Sequence, residues 1–187
     1  KLEAMVLDEP GFIEVKHGIK TGLASAFLHA QTYSQVFESY RQVYLENLST
    51  DISSYAEAPI NVFSDLILKY DGQIKEFTKM ATSANIGIIQ VDSTRLKNIF
   101  LPSPKARLGE IEKLLPAVAR EKCRELLDKL RDANNKISTI PATVEEFVEI
   151  MAFLGKVHEQ QDVDHQSYLF IQELYNLMSE HKIRVSE

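Results

Sequence analysis

Residues 143–182 read TVEEFVEIMAFLGKVHEQQDVDHQSYLFIQELYNLMSEHK, and this stretch decides the fold. Thr143 is followed three residues later by Glu146, the capping-box spacing, and Pro141 stands just upstream, so a helix begins here. Val144, Phe147, Val148, Met151 and Leu154 then repeat at intervals of three and four, the mark of an amphipathic helix. Between Lys156 and Asp164 the apolar signal nearly vanishes. It resumes, shifted in phase, as Val163, Phe170, Ile171, Leu174, Leu177 and Met178. No Gly or Pro follows Gly155, so the pattern predicts one helix to about Lys182. At 1.5 Å per residue, about 38 helical residues would span roughly 57 Å, more than a compact domain of this size needs. The expected fold class is mainly α, an elongated helical bundle of long amphipathic helices.

Working back toward the N-terminus, Lys105–Lys136 carries Leu108, Ile111, Leu115, Val118, Leu126, Leu127 and Leu130 at helical spacing. Pro116 inside it lacks an N–H and crowds the preceding turn, which leaves a kinked helix and two separate helices both open. Pro102 and Pro104 predict a break before it. Ser93 should cap a short helix through Leu96, Ile99 and Phe100, preceded by an extended run from Ile88 to Val91. Pro59 suits the first turn of another helix, with Val62, Phe63, Leu66, Ile67, Tyr70, Ile74 and Phe77 as its stripe and Gly72 inside it. A long helix is expected from about Ile19 to Leu48, extending toward Ser54. At the N-terminus, Asp8-Glu9-Pro10-Gly11 is a turn signal between Met5–Leu7 and Phe12–Val15, which predicts a small β-hairpin.

Composition narrows the function. The chain has 187 residues, 27 acidic against 21 basic, and a net charge of -6. That is a poor match to a phosphate backbone and argues against nucleic acid as a partner. No apolar run reaches the ~18 residues of a membrane span, and the N-terminus lacks the layout of a secretory signal. The first residue is Lys rather than Met, which suggests a fragment of a longer chain. A single cysteine, Cys123, leaves no internal disulfide and fits a reducing compartment. It has no His near it in sequence to activate it and reads as a half-buried core residue.

Candidate sites read as ordinary surface or core. His158, Asp162 and His165 share a helix face, but the two imidazoles lie about 10 Å apart along the axis, too far for one ion. Zinc-protease spacing would need a histidine where Asp162 stands. The expectation is a solvated polar waist with no metal. His17-Gly18-Ile19-Lys20-Thr21-Gly22 has the wrong order for a phosphate loop, and no nucleophile elbow occurs, so neither a cofactor nor a catalytic residue is assigned. Asn47-Leu48-Ser49 matches a glycosylation sequon by chance. Arg120, Lys122, Arg124, Lys129 and Arg131 alternate with Glu121, Glu125, Asp128 and Asp132, a mixed face on which Glu125–Lys129 and Asp128–Arg131 should pair. Phe27, Tyr33, Phe37, Tyr40 and Tyr44 read as core or, where exposed, as a seat for another helix.

A family resemblance runs through the same segments. Ile86–Ser93 followed by Leu96-Lys97 and Leu101-Pro102, then Leu114-Leu115-Pro116 with Leu126, Leu127 and Leu130, then Thr143–Val148 through Phe153-Leu154 to Glu173–Met178, resembles the stem of dynein heavy chains, most like the axonemal members. The likeness covers about 100 residues from Ile86 onward and carries no single decisive motif. It implies a non-catalytic stem (tail) segment just before the linker and motor ring of a microtubule-based motor, passing force between the anchored tail and the ATPase ring. The expected division is residues 1–85 as an N-terminal hairpin with helices of the stem and 86–187 as a helical-bundle stem segment leading toward the linker, with one continuous domain as the alternative. The implied partners are other heavy-chain segments and intermediate or light chains, and the implied place is the cytoskeleton of a ciliary or flagellar axoneme. A helical adaptor or tether whose parent chain has no motor is the alternative.

Overall fold

The structure, a computed structural model, describes residues 9–184. In order, its elements are α1 (Pro10–Ser34), α2 (Val36–Ser49), a 3-10 turn (Ile52–Tyr55), α3 (Ile60–Lys79), β1 (Ser83–Ile86), β2 (Ile89–Asp92), α4 (Thr94–Phe100), α5 (Pro102–Ser138) and α6 (Val144–Glu180). The fold is mainly α, as expected. The long closing helix is a single element of 37 residues, and α5 likewise runs unbroken through Pro116.

Two expectations are corrected. Phe12–Val15 is no strand but part of α1; Met5–Leu7 lies outside the described residues. The turn signal misled because Pro10 takes the first helical turn, where its missing N–H leaves no bond unmade. The helix expected from Ile19 to Leu48 is divided at Gln35. There Gln35 N–H donates to the Thr32 carbonyl and Glu38 N–H to the Gln35 carbonyl, three-residue bonds that tighten the turn. Thr32, Ser34 and Ser39 hydroxyls add bonds to the carbonyls of Leu28, Gln31 and Val36, a pattern that bends helices.

The molecule divides into two compact units, Lys1–Thr50 with Tyr70–Ala106, and Asp51–Lys69 with Arg107–Glu187. The expected division at residues 85 and 86 falls within β1. In the first unit Phe37, Phe77, Met80 and Phe100 form an aromatic core, bordered by Tyr33, Tyr40, Val43, Tyr44 and Leu101. Tyr33 meets Phe37 edge-on at 5.4 Å and Tyr40 meets Phe77 at 5.5 Å, geometries that suit ring quadrupoles. Beside that core stands the antiparallel pair β1–β2, closed by a two-residue turn with Ile86 opposite Ile89. Gly87 has φ +61, so the turn needs glycine for conformation, and a Cβ on it would stand 3.4 Å from the Ala26 Cβ of α1.

The end of α3 is held by side chains whose role the sequence conceals. Lys97 Nζ donates to the carbonyls of Thr78 (2.6 Å) and Met80 (3.1 Å). Ser93, expected to cap α4, instead turns its hydroxyl to the Ala81 carbonyl at 2.6 Å, while its N–H donates to Thr82 at 2.8 Å. The N-terminus of α4 is served by Asp92, whose carboxylate accepts from Thr94 N–H at 2.9 Å. In the second unit Phe63, Ile111, Leu115, Ala119 and Leu174 are fully enclosed. The capping box of α6 forms with a shift: Thr143 Oγ1 accepts from Glu146 N–H, and the Glu146 carboxylate reaches Ala142 N–H. At its other end Ile183 N–H donates to Met178 and Lys182 N–H to Ser179, with Lys182 at φ 56, a Schellman closure on a non-glycine residue.

Two outcomes follow for the first unit. Lys97→Met removes the cation from the end of α3 and should cost about 1–2 kcal/mol in urea unfolding, against near-neutrality for the exposed Arg95→Met; equal stability of both variants would refute the capping role. Hydrogen bonds from the Thr94 side chain and then its N–H hold the Asp92 carboxyl below the ordinary 3.8. A depressed carboxyl contributes stability that is full above the unfolded value and is lost as pH falls through the lower folded one. NMR titration should therefore place the Asp92 midpoint below 3.8, and a midpoint at or above it would count against the contact.

Candidate functional site

α5 and α6 lie antiparallel in the second unit, and side-chain pairs mark their seam. Lys129 Nζ meets Asp164 Oδ1 at 2.5 Å, and Lys136 Nζ stands 4.9 Å from the centre of the Phe153 ring. Along α6 the residues at least partly buried are Ile150, Phe153, Val157, Asp164, Phe170, Ile171, Leu174, Leu177 and Met178. With the exposed Gln160 and Ser167 filling the gaps, the row from Ile150 to Met178 alternates at three and four, the heptad spacing of a helix-pair seam, and Phe170 and Leu177 broaden it at the C-terminal end. The middle of this seam is polar, which is why periodicity missed it.

Charge on α5 is spent within this arrangement. The expected Glu125–Lys129 pair is corrected: Lys129 goes to Asp164, and Glu125 meets Lys122 at 3.3 Å. Lys122 also meets Glu57 at 3.4 Å, and Asp128–Arg131 pair at 3.6 Å as expected. Burial works to lower the Lys122 pKa, but the hydrogen bond and charge of Glu125, with Glu57, outweigh it and raise the value. An open hollow of about 520 Å³ is lined by Lys122, Glu125, Lys129, Asp164, Phe170 and Ile171 among others. Its cations face carboxylates, Lys129 against Asp164 and Lys122 against Glu57 and Glu125.

The sequence-level candidates are dispersed. His158, Asp162 and His165 are exposed, and among the described residues no group of three or more His, Cys, Asp or Glu is placed to hold a metal ion. His165 stacks on Tyr168 at 6.4 Å between ring centres. Cys123 is half-buried. Asn47 of the sequon is enclosed, its amide donating to Gln73 Oε1 at 2.9 Å, a buried polar link that no periodicity announces. Of the aromatic stripe, Phe37 is core and Tyr33, Tyr40 and Tyr44 border it, whereas Phe27 is exposed.

What the structure does present is bare apolar helix face. On α6 the stripe Val144, Phe147, Val148, Met151 and Leu154 points away from the seam and is exposed, Val144 by 75% and Phe147 by 52%. Ile140, just before the helix, is 89% exposed and extends the patch. A helix apolar on two sides is built to lie between neighbours. On α1, Phe12, Val15, Ile19, Leu23, Ala26, Ala30 and Tyr33 share one face; it is covered from Ala26 onward and exposed from Phe12 to Leu23. Among the described residues no helix is long and apolar enough to cross a membrane.

No protein-family model matches the chain. It is 27% identical over 184 residues to dynein axonemal heavy chain 6 of Homo sapiens, covering 97% of this chain and 4% of that protein. It is 24% identical over 135 residues to dynein axonemal heavy chain 2 of Mus musculus, covering 71% of this chain and 3% of that one. The resemblance to dynein heavy chains is thus borne out, and it extends upstream of Ile86 to nearly the whole chain. The chain spans about 4% or less of the length of these relatives.

The bare α6 face has a direct readout. Phe147→Ser should lower the fluorescence of a hydrophobic dye bound to the native fragment at least about twofold while shifting stability by less than about 0.5 kcal/mol. A loss of several kcal/mol would mean that Phe147 is packed.

Proposed function

We propose that this chain is a non-catalytic structural segment of a dynein heavy chain, lying in the stem between the anchored tail and the ATP-driven ring. The observation that carries the reading is the collinear similarity over 97% of the chain to an axonemal dynein heavy chain. Long helices with uncovered apolar faces support it, because a segment stacked in series with others needs a seat on more than one side. In this role α1 and α6 receive neighbouring segments of the heavy chain, with intermediate or light chains as further partners, and the assembly works in the axoneme of a cilium or flagellum.

Force is carried by packing alone in such a segment. Chemistry belongs to phosphate loops elsewhere in the parent polypeptide, since GxxxxGK[ST] does not occur in these 187 residues. The purified fragment should therefore hydrolyse no ATP above the buffer blank, and steady turnover that follows the fragment through purification would sink the reading. The parent transcript is the second check. A reading frame continuing past Glu187 into several GxxxxGK[ST] loops is the expected result. A stop codon soon after Glu187, or a continuation without any such loop, would hand the case to a helical adaptor.

A further inference from the structure

We propose that the uncovered part of α1, from Phe12 to Leu23, seats an amphipathic helix whose apolar stripe carries Asp or Glu along one edge only. The inference rests on the stem reading, which gives α1 neighbouring segments to receive, and it specifies the chemistry of the helix that fits. Continuity with existing packing, the placement of two lysines and an uncharged opposite edge carry it.

The face prolongs packing already in place. At Ala26 the Gly87 turn stands against α1, and further along Tyr33 borders the aromatic core. Phe12, Val15, Ile19 and Leu23 continue the same stripe for about three turns without cover, Val15 being 61% and Ile19 64% exposed. Two lysines lie on its border. At 100° per residue Leu23, Lys16, Phe27 and Lys20 stand about 20°, 40°, 60° and 80° around the axis from Phe12, so cations and apolar side chains alternate along one edge. Lys16 Nζ lies 5.9 Å from the centre of the Phe12 ring, which puts its charge against the apolar surface itself. Both lysines are exposed and in no ion pair among the described residues. Glu14, the sole carboxylate within α1, stands about 160° from Lys16, on the far side of the helix. The other edge of the stripe is Gly11, Gly18 and Gly22, uncharged and open, since a Cβ on any of them would meet nothing within 4 Å. A helix laid on this surface meets cations on one side and none on the other. Carboxylates on that one side would pair with Lys16 and Lys20, and lysines there would be repelled, which gives selectivity more than raw affinity.

The test titrates two synthetic amphipathic helices against the chain by fluorescence anisotropy. They share one leucine stripe, edged on one side with Glu in the first and with Lys in the second. The net charge of -6 draws the Lys peptide at long range, so a preference for the Glu peptide reads the local cations. The Glu peptide should bind about fivefold tighter at low salt, the ratio shrinking as salt rises. Lys16→Glu/Lys20→Glu should reverse the order. Val15→Ser/Ile19→Ser, at two exposed positions, should weaken the Glu peptide at least about tenfold. Equal affinity, or tighter binding of the Lys peptide, overturns the charge selection. Binding of neither peptide overturns the seat, as does Glu-peptide binding that survives the serine pair. Phosphatidylserine vesicles present the other kind of anionic surface that a basic apolar helix meets. No co-sedimentation is expected, and co-sedimentation abolished by Val15→Ser/Ile19→Ser would make the face a membrane contact and overturn the proposal. None of these outcomes depends on whether the parent transcript encodes phosphate loops, so the seat and the stem reading fail separately.

Discussion

The carbonyls left over at the end of α3 are the constraint around which the first unit is organised. A helix ends with four acceptors that its own backbone cannot satisfy, and enclosing them unpaired is costly. Here Met80 and Ser93 are buried, so water is no ready substitute. From the other side of the hairpin Lys97 meets the Thr78 carbonyl of the last turn and the Met80 carbonyl just past it, and Ser93 meets the next, that of Ala81. That requirement fixes where β2 must end and where α4 must begin. Ser93 cannot both cap α4 and serve Ala81, and Asp92 takes over at the cap. Phe100, placed by the short helix that follows, then reaches Phe77 at 6.2 Å and Tyr44 at 5.4 Å. The aromatic core is downstream of a backbone obligation.

A second constraint operates on α6. Its two apolar stripes, 144–154 and 171–178, sit about 150° apart around the axis at 100° per residue. One straight helix cannot aim both at the same neighbour. The C-terminal stripe is buried, and the N-terminal one is left facing out. The phase shift at Lys156–Asp164 is therefore a change of partner rather than an irregularity. It is the most informative property of the helix, because it says that α5 alone does not complete the packing.

Much of this was legible. Helix type and length for α3, α5 and α6 follow from period and from the scarcity of Gly and Pro, and Thr143 and Glu146 announce the start of α6 in advance. The hairpin was half legible: Ile88–Val91 reads as extended, one residue ahead of the observed β2, but Ser83-Ala84-Asn85 has no strand signal and pairs only because Gly87 permits the turn. Pro10 and Gly11 looked like a turn because the same residues serve turns and helix starts. The largest gap was the distinction between stripe and core. Val144, Phe147 and Met151 have the spacing of core residues and are exposed, while Asp164 lies in the seam. Periodicity tells which residues share a face; it is silent on whether anything covers that face. The capping role of Lys97 was invisible for a related reason, since its partners are carbonyls, which every residue has.

The seam also shows how a register can be set without an apolar zipper. Lys122, Lys129 and Lys136 stand one heptad apart, so a slide of seven residues would bring another lysine to Asp164 and leave that ion pair intact. The pair alone cannot specify alignment, and a partly exposed pair contributes about 0–1 kcal/mol. The asymmetry of burial can. Leu115, Val118 and Ala119 on α5 and Ile171, Leu174 and Met178 on α6 are enclosed at one end, while polar residues occupy the middle. A slide by a heptad would carry two or more of these side chains toward water, at about 1.5–3 kcal/mol for each large one. The apolar end therefore holds the register, and the lysines tolerate it. For a segment whose proposed work is to keep its neighbours in fixed relation, an alignment held by packing has a further merit: it is unaffected by salt, whereas one held by exposed charges would not be.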